Sequence, residues 1–555
     1  MKRLYRQRRI TFLLFFFFVM IATMGYRVFL IQIIHGALFA RASVIHRSHS
    51  FVYGTGRGQI LDRFGESLLD TRNESVKVVF NFNDGSNEPE YEQESKQYVW
   101  SVEDDAKHLE DRFPHALEAY REHRYGPNSL APHIVGYIKP VLTPKNNPLS
   151  KEVGKTMYTE LSYVGEKGLE RLFNQELSAA RPSVLAAFID GRGELVSGIG
   201  YRAIQFEDPR RPYNVVTTID RRIQKIIEDI GNTRDPMNQG GAIVVMEVKS
   251  GDILAMASFP AYSSEMMFSG VRQDIYNSFD FNNRAIAGYA PGSVFKVILA
   301  AAAIETKLPE PETFICTGSY QVGNTSVSCY NNKAHGVVDL TEAFAVSCNG
   351  YFAHLALRLG KESMIEMAHR FKLGQNTNIA LGNEAGGNIP ESTKLPNPGD
   401  VANTSIGQGD VLTTPLQLTR VMTAIANGGV DVYPRLVSEI TDKNGRIVKR
   451  YPVLRGQRIL SPMVAMQLNR MLADVVNSGT ARDAWSELYA TFGKSGTAES
   501  PTSESNSWFA GFVQIDGRQL AITVFVEKWD KDNPNHIRAP RIFKDIAETI
   551  HALYQ

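Results

Sequence analysis

Residues 290–305 read APGSVFKVILAAAAIE, and the serine and lysine near the start of this stretch decide how the rest of the chain is read. Pro291 and Gly292 end the preceding loop, so Ser293 is expected at a helix N-terminus, where free backbone N–H groups collect. Lys296, three residues on, shares its helical face. From there to Ile304 every residue is apolar, so the helix is expected to be buried. Burying an ammonium is costly, and desolvation lowers the lysine pKa towards that of a usable base. A serine hydroxyl is a poor nucleophile until such a base takes its proton. The same residues also fit a capping serine with a snorkelling lysine, and S-x-x-K alone does not separate the two.

Two further constellations change the weight. Ser347-Cys348-Asn349 falls inside a segment, residues 340–359, whose pattern is helical. It supplies a hydroxyl that can relay a proton and an amide that can hold a peptide carbonyl. Lys494-Ser495-Gly496-Thr497 stands just before a hairpin pattern and reads as an edge or inner strand. Gly496 permits close backbone approach there, Lys494 brings positive charge, and Ser495 and Thr497 offer hydroxyls to an anion. Each signature alone is weak. In this chain order they form the S-x-x-K, S-D-N, K-T-G set of serine acyl-transfer enzymes.

Around these motifs the pattern is α+β. Apolar runs at 240–248 and 253–259 flank Lys249-Ser250-Gly251-Asp252, and runs at 508–515 and 520–527 flank Asp516-Gly517-Arg518-Gln519; both read as hairpins. Between them lie helical segments at 293–305, 340–359 and 415–426, with another at 220–229 before them and one at 542–553 after them. Hairpins at both ends with helices between predict an antiparallel sheet flanked by helices, the two hairpins sharing one sheet. Residues 83–96 (NDGSNEPEYEQESK) hold almost nothing apolar and read as an exposed loop.

The chain has 555 residues, enough for two to four domains at roughly 150 residues each. Its 60 basic and 59 acidic residues give a formal charge of +1, and no basic stripe points to nucleic acid. The dense basic run is Lys2, Arg3, Arg6, Arg8 and Arg9. Residues 10–26 (ITFLLFFFFVMIATMGY) follow without a charge, and after Arg27 the apolar run resumes through residue 34. Seventeen residues of helix span roughly 26 Å, and Arg27 can snorkel, so 10–34 reads as a membrane anchor. A signal peptide is disfavoured because no A-x-A-like site follows. The positive-inside rule puts residues 1–9 in the cytoplasm and the remainder outside. Cys316 and Cys329 could then bridge, leaving Cys348 free; three unpaired thiols fit equally well. No Cys or His spacing reads as a metal motif.

The chain resembles the class B penicillin-binding proteins over nearly its whole length. After the anchor, Arg57-Gly58-Gln59-Ile60-Leu61-Asp62-Arg63-Phe64-Gly65 looks like that family's membrane-proximal signature. His133-Ile134-Val135-Gly136-Tyr137 and Gly168-Leu169-Glu170 look like later ones. Thr217-Thr218-Ile219-Asp220, Asn283-Arg284, Ser405-Ile406-Gly407-Gln408-Gly409 and Trp508-Phe509 also match. The resemblance implies a pedestal domain at 35–211 and a transpeptidase domain at 212–555, without cofactor or metal. It implies that Ser293 is acylated by a peptidoglycan stem peptide, Lys296 is the general base, and Ser347 passes the proton to the leaving amine. Asn349 would hold the substrate amide, Lys494 the pocket's electrostatics, and Ser495, Gly496 and Thr497 the substrate carboxylate. Backbone N–H groups of Ser293 and Thr497 would form the oxyanion hole. β-Lactams would acylate the same serine, and a membrane glycosyltransferase of the SEDS type would be the partner.

Departures are Ser495 for threonine and Ser507 where relatives carry histidine. The head of the pedestal, near residues 85–130, is expected to be reduced. A β-lactamase or D,D-carboxypeptidase would keep the site and let water attack, but for a β-lactamase an anchor and pedestal are superfluous. Glu103-Asp104-Asp105 lacks the pattern of a fused glycosyltransferase. A non-enzymatic scaffold would be expected to lack one of Ser293, Lys296 or Lys494, and all three are present.

Overall fold

The computed structural model describes residues 2–36, 48–80, 97–101, 117–144, 159–178, 183–188, 196, 198, 200–204, 212–234, 237, 239–268, 281–309, 314–379, 381–499, 505–530, 533 and 536–555. The polar stretch at 83–96, most of 85–130 and the acidic triplet at 103–105 lie outside the described residues. The chain divides into two compact units, one of residues 1–56, 73–123 and 181–209, the other of 57–72, 124–180 and 210–555.

In the first unit, helix Lys2–Phe29 continues into a π-helical turn, Leu30–Ile34. The span Arg8–Ile34 is long and apolar enough to cross a membrane, and none of its most apolar window is buried. The unit also holds two three-stranded sheets. Strand Ser183–Phe188 lies between Ser48–Gly54 and Tyr201–Ile204, and Arg72–Phe80 lies between Gln97–Ser101 and Leu117–His123. Phe51, Val76, Val78 and Ala187 make a small core.

The second unit is built on a five-stranded antiparallel sheet. Its strands are β1 (Gly241–Glu247), β2 (Ile253–Phe259), β3 (Ala490–Glu499), β4 (Ser505–Ile515) and β5 (Arg518–Trp529), in the spatial order β2-β1-β5-β4-β3. The two hairpins therefore do share one sheet, joined where β1 pairs with β5. Helices cover both faces. Thr523 of β5 bonds Thr419 of helix Pro415–Ala426, while Phe509 of β4 packs edge-on to Phe543 of helix Ala539–Tyr554. Thr523 pairs with Ala510, the neighbour of Phe509, and successive residues of a strand point to opposite faces. The two helices thus sandwich the sheet.

Segments 57–72 and 124–180 pack into this same unit, and one buried ion cluster ties them together. The Glu170 carboxylate accepts from Arg57 at 2.9 Å and Arg124 at 2.6 Å, and the Tyr125 hydroxyl donates to it at 3.1 Å. Glu170 and Arg124 are wholly buried and Arg57 nearly so. Burial and the adjacent carboxylate raise the Tyr125 pKa well above the usual phenol value, so it stays a donor. Two signatures picked out by resemblance, Arg57 and Gly168-Leu169-Glu170, meet in this cluster.

Candidate active site

Ser293 sits in a 3₁₀ turn, Gly292–Phe295, which runs directly into α-helix Lys296–Glu305. Two glycines shape its approach. Gly292 has φ +54°, and a Cβ on it would come within 2.7 Å of the Thr497 carbonyl; a Cβ on Gly407 (φ +71°) would come within 2.1 Å of the Gly292 carbonyl. Gly292 N–H donates to Gly407 C=O at 3.1 Å, which is where the Ser405–Gly409 run acts. The nucleophile turn is thus wedged between β3 and that loop. Replacing Gly292 with Ala adds a methyl where backbone already stands, in a left-handed conformation costing a further 1–2 kcal/mol or so. Gly292→Ala is expected to slow acylation by at least about tenfold, one decade per ~1.4 kcal/mol, measured as the rate of covalent penicillin labelling.

Ser293 is half-buried and opens onto a cleft of about 1220 Å³, together with Ser347, Asn349, Ser495, Gly496 and Thr497. Lys296 and Lys494 lie behind its wall, fully buried. The Lys296 amine donates to the Ser347 carbonyl (2.8 Å) and Asn349 Oδ1 (2.6 Å), with Ser347 Oγ at 3.2 Å. Burial lowers its pKa to about 7, against the opposing pull of the thiols of Cys348 and Cys329. A neutral amine has two hydrogens, and the Ser347 carbonyl and Asn349 Oδ1 take both. Its lone pair is then left for a hydroxyl proton.

Ser347 does not lie inside a helix, as its sequence pattern suggests. One helix ends at Ala345, Ser347 turns left-handed at φ +57°, and the next helix starts at Asn349 with Cys348 as its N-cap. A continuous helix would splay residues 347 and 349 about 200° apart around its axis. The break instead turns the carbonyl and hydroxyl of Ser347 and the amide of Asn349 onto one amine. Asn349 Nδ2 donates to Ser328 C=O at 2.7 Å, leaving one amide hydrogen for a ligand.

The Lys494–Thr497 run lies on β3, at the edge of the sheet. Lys494 donates to its neighbour's carbonyl, Ser495 O, at 3.2 Å and stands 5.7 Å over the Phe344 ring. Burial, then the positive charges of Lys296 and Arg538, push its pKa well below the usual lysine value. Ser495 Oγ bonds Thr480 Oγ1 at 2.7 Å. A Cβ on Gly496 would stand 2.9 Å from Pro291 O and from Val294 Cγ2, so only glycine lets β3 close onto the nucleophile turn. Trp508, opposite Gly496, donates its indole N–H to Ala290 C=O at 3.1 Å and pins the other end of that turn. Ser507, where histidine is usual in the resembled family, accepts the Ala539 N–H at 3.2 Å and serves the helix packed behind.

Sequence reasoning did not single out Thr480, Asn403 and Arg538, which also line the cleft. It also set aside a metal motif and left a Cys316–Cys329 bridge open. All three cysteines are unpaired in the structure, and the sulfurs of Cys316 and Cys329 stand 3.7 Å apart. The thiols nevertheless do cluster in space, together with His335. Separations of thirteen and nineteen residues hid this.

The penicillin binding protein transpeptidase domain, as a family, matches residues 241–548, more than half of the chain. The chain belongs to the class B penicillin-binding proteins. It is 27% identical over 546 residues to stage V sporulation protein D of Bacillus subtilis, covering 95% of this chain and 82% of that one. It is 31% identical over 348 residues to the peptidoglycan D,D-transpeptidase PbpA of Mycobacterium tuberculosis, covering 58% of this penicillin-binding protein and 68% of the relative. Among solved structures, a chain from a peptidoglycan synthase complex that coordinates polymerization and crosslinking superposes with a TM-score of 0.66, covering 98% of each. At 23% identity, that likeness speaks for the fold of this penicillin-binding protein alone.

Proposed function

We propose that this chain is a peptidoglycan D,D-transpeptidase that cross-links stem peptides in bacterial cell-wall synthesis through a Ser293 acyl-enzyme, and that β-lactams inhibit it by acylating the same serine. The observation that carries this reading is the buried Lys296 amine, one helical turn from Ser293 and within 3.2 Å of Ser347 Oγ. In this reading the lone pair of Lys296 takes the Ser293 proton as its Oγ attacks the penultimate D-alanine carbonyl. Ser347 hands a proton to the departing D-alanine amine. The amine of a second stem peptide then attacks the ester and restores Ser293. Asn349 holds the donor's amide, and Ser495 and Thr497 grip its carboxylate in the field of Lys494. The Ser293 and Thr497 N–H groups stabilise the oxyanion, usually the largest single contribution in acyl transfer. The apolar helix anchors the chain with residues 1–9 in the cytoplasm. A SEDS-type glycosyltransferase is the proposed partner, a reading that rests on the resemblance to the class B family.

The test is to incubate the full chain in detergent with a D-Ala-D-Ala-terminated stem peptide and an amine acceptor. Cross-linked product beside released D-alanine supports transpeptidation. Release without cross-links points to a carboxypeptidase, and no turnover to a scaffold.

A pH profile adds a second check. Lys296 must be neutral to act as base, and its pKa is lowered to about 7. Acylation by penicillin is therefore expected to fall about tenfold per pH unit below pH 7 and to level off above it. A profile centred near the ordinary lysine value would place the base elsewhere.

A further inference from the structure

Cys316, Cys329 and Cys348 are buried, and each belongs to a different segment beside the cleft. Cys316 ends the strand Phe314–Cys316, Cys329 follows the strand Thr325–Ser328, and Cys348 is the middle residue of the Ser347–Asn349 turn. His335 reaches the same point from the loop before Gly336. The ligand atoms of all four lie within 4.8 Å of one another.

The separations are those of a coordination shell. In a tetrahedral site with Zn–S bonds of about 2.3 Å, adjacent sulfurs stand about 3.8 Å apart, and a sulfur and a nitrogen slightly closer. Here Cys316 and Cys329 sulfurs are 3.7 Å apart, Cys329 and Cys348 sulfurs 3.9 Å, and Cys316 Sγ and His335 Nδ1 3.4 Å. A disulfide would need about 2.05 Å, and could use only two of the three thiols. Three soft sulfurs and one imidazole are a donor set that selects zinc over hard cations, and four protein ligands leave no open position, as in structural sites.

We propose that Cys316, Cys329, Cys348 and His335 bind one zinc ion in a tetrahedral structural site beside the active-site cleft. Each thiol gives up its proton on ligation, and the ion joins the three segments. Through Cys348 it holds the turn that presents Ser347 and Asn349 to Lys296. Through Cys329 it holds the strand whose last carbonyl, Ser328 O, anchors the Asn349 amide. The ion is a positioning element, with no role on substrate.

The test is the metal content of the full chain, purified in detergent without chelator, alongside fluorescent-penicillin labelling as a separate measure of the folded site. About one zinc per chain is expected, falling below about 0.1 in a Cys316→Ser, His335→Ala double variant. Cobalt exchanged into the parent should show thiolate-to-metal charge transfer and the strong visible bands of tetrahedral geometry. This spectrum needs no variant to fold. A parent that takes penicillin but carries under a tenth of a zinc and gives no such spectrum overturns the site. So does zinc retained in a folded double variant, or a parent whose mass shows two of the three cysteines oxidised. Because labelling reports the serine separately, failure of the metal site and failure of the acyl-enzyme reading give different results.

Discussion

A Ser293→Ala variant takes up no covalent penicillin, while its circular dichroism and melting temperature stay close to those of the parent. The substitution removes one half-buried hydroxyl and leaves the wedge of Gly292, Gly407 and Gly496 around the turn intact. Removing the nucleophile of a comparable acyl-transfer site costs roughly 10⁶ in rate, so the adduct should be invisible in an intact-mass spectrum after hours. The parent should gain the mass of one penicillin per chain. A variant that still gains that mass on another residue would remove Ser293 from the mechanism. A slow loss of the parent adduct would rule out the efficient hydrolysis that a β-lactamase requires.

The second large effect lies far from the chemistry. Glu170→Ala is expected to destabilise the second unit by about 3–5 kcal/mol, because it strips the carboxylate that two buried guanidinium groups share. The measurement is urea unfolding followed by tryptophan fluorescence, with all four tryptophans retained in the variant. Glu170→Gln keeps the shape but not the charge, so it should recover only part of the loss. A Glu170→Ala midpoint equal to that of the parent would mean that the cluster is hydrated and contributes little.

The sequence was most legible where backbone periodicity and motif coincide. Both hairpins, the helices at 296–305 and 415–426, and the C-terminal helix follow directly from apolar spacing, and joining the hairpins in one sheet needed only chain order and length. Ser293 and Lys296 were readable only because the Ser347–Asn349 and Lys494–Thr497 runs follow in chain order, since S-x-x-K alone also fits a capping serine with a snorkelling lysine. The Ser347 break was not readable. Residues 340–359 have helical composition throughout, and the kink depends on tertiary contacts from Lys296 and Ser328 that outweigh local propensity. Thr480 and Arg538 escaped for a similar reason, since each reaches the cleft only by the packing of β3 and the last helix. The thiol cluster joins residues on three separate segments, which no short spacing rule detects.

The pairing of β1 with β5 has a consequence for the order of events in biogenesis. Residues 241–247 must wait for residues 518–529 before their open edge is satisfied, and all the helical insertions between them are made in the interval. Pairings of such sequence separation form slowly, because loop closure comes before the contacts that reward it. A chain synthesised from its amino terminus would therefore carry its serine and its base long before the wall formed by β3 exists to receive them. Competence to react would arrive in one late step, with the closing hairpin. Chains interrupted before residue 529 should be prey for proteases rather than partly active enzymes.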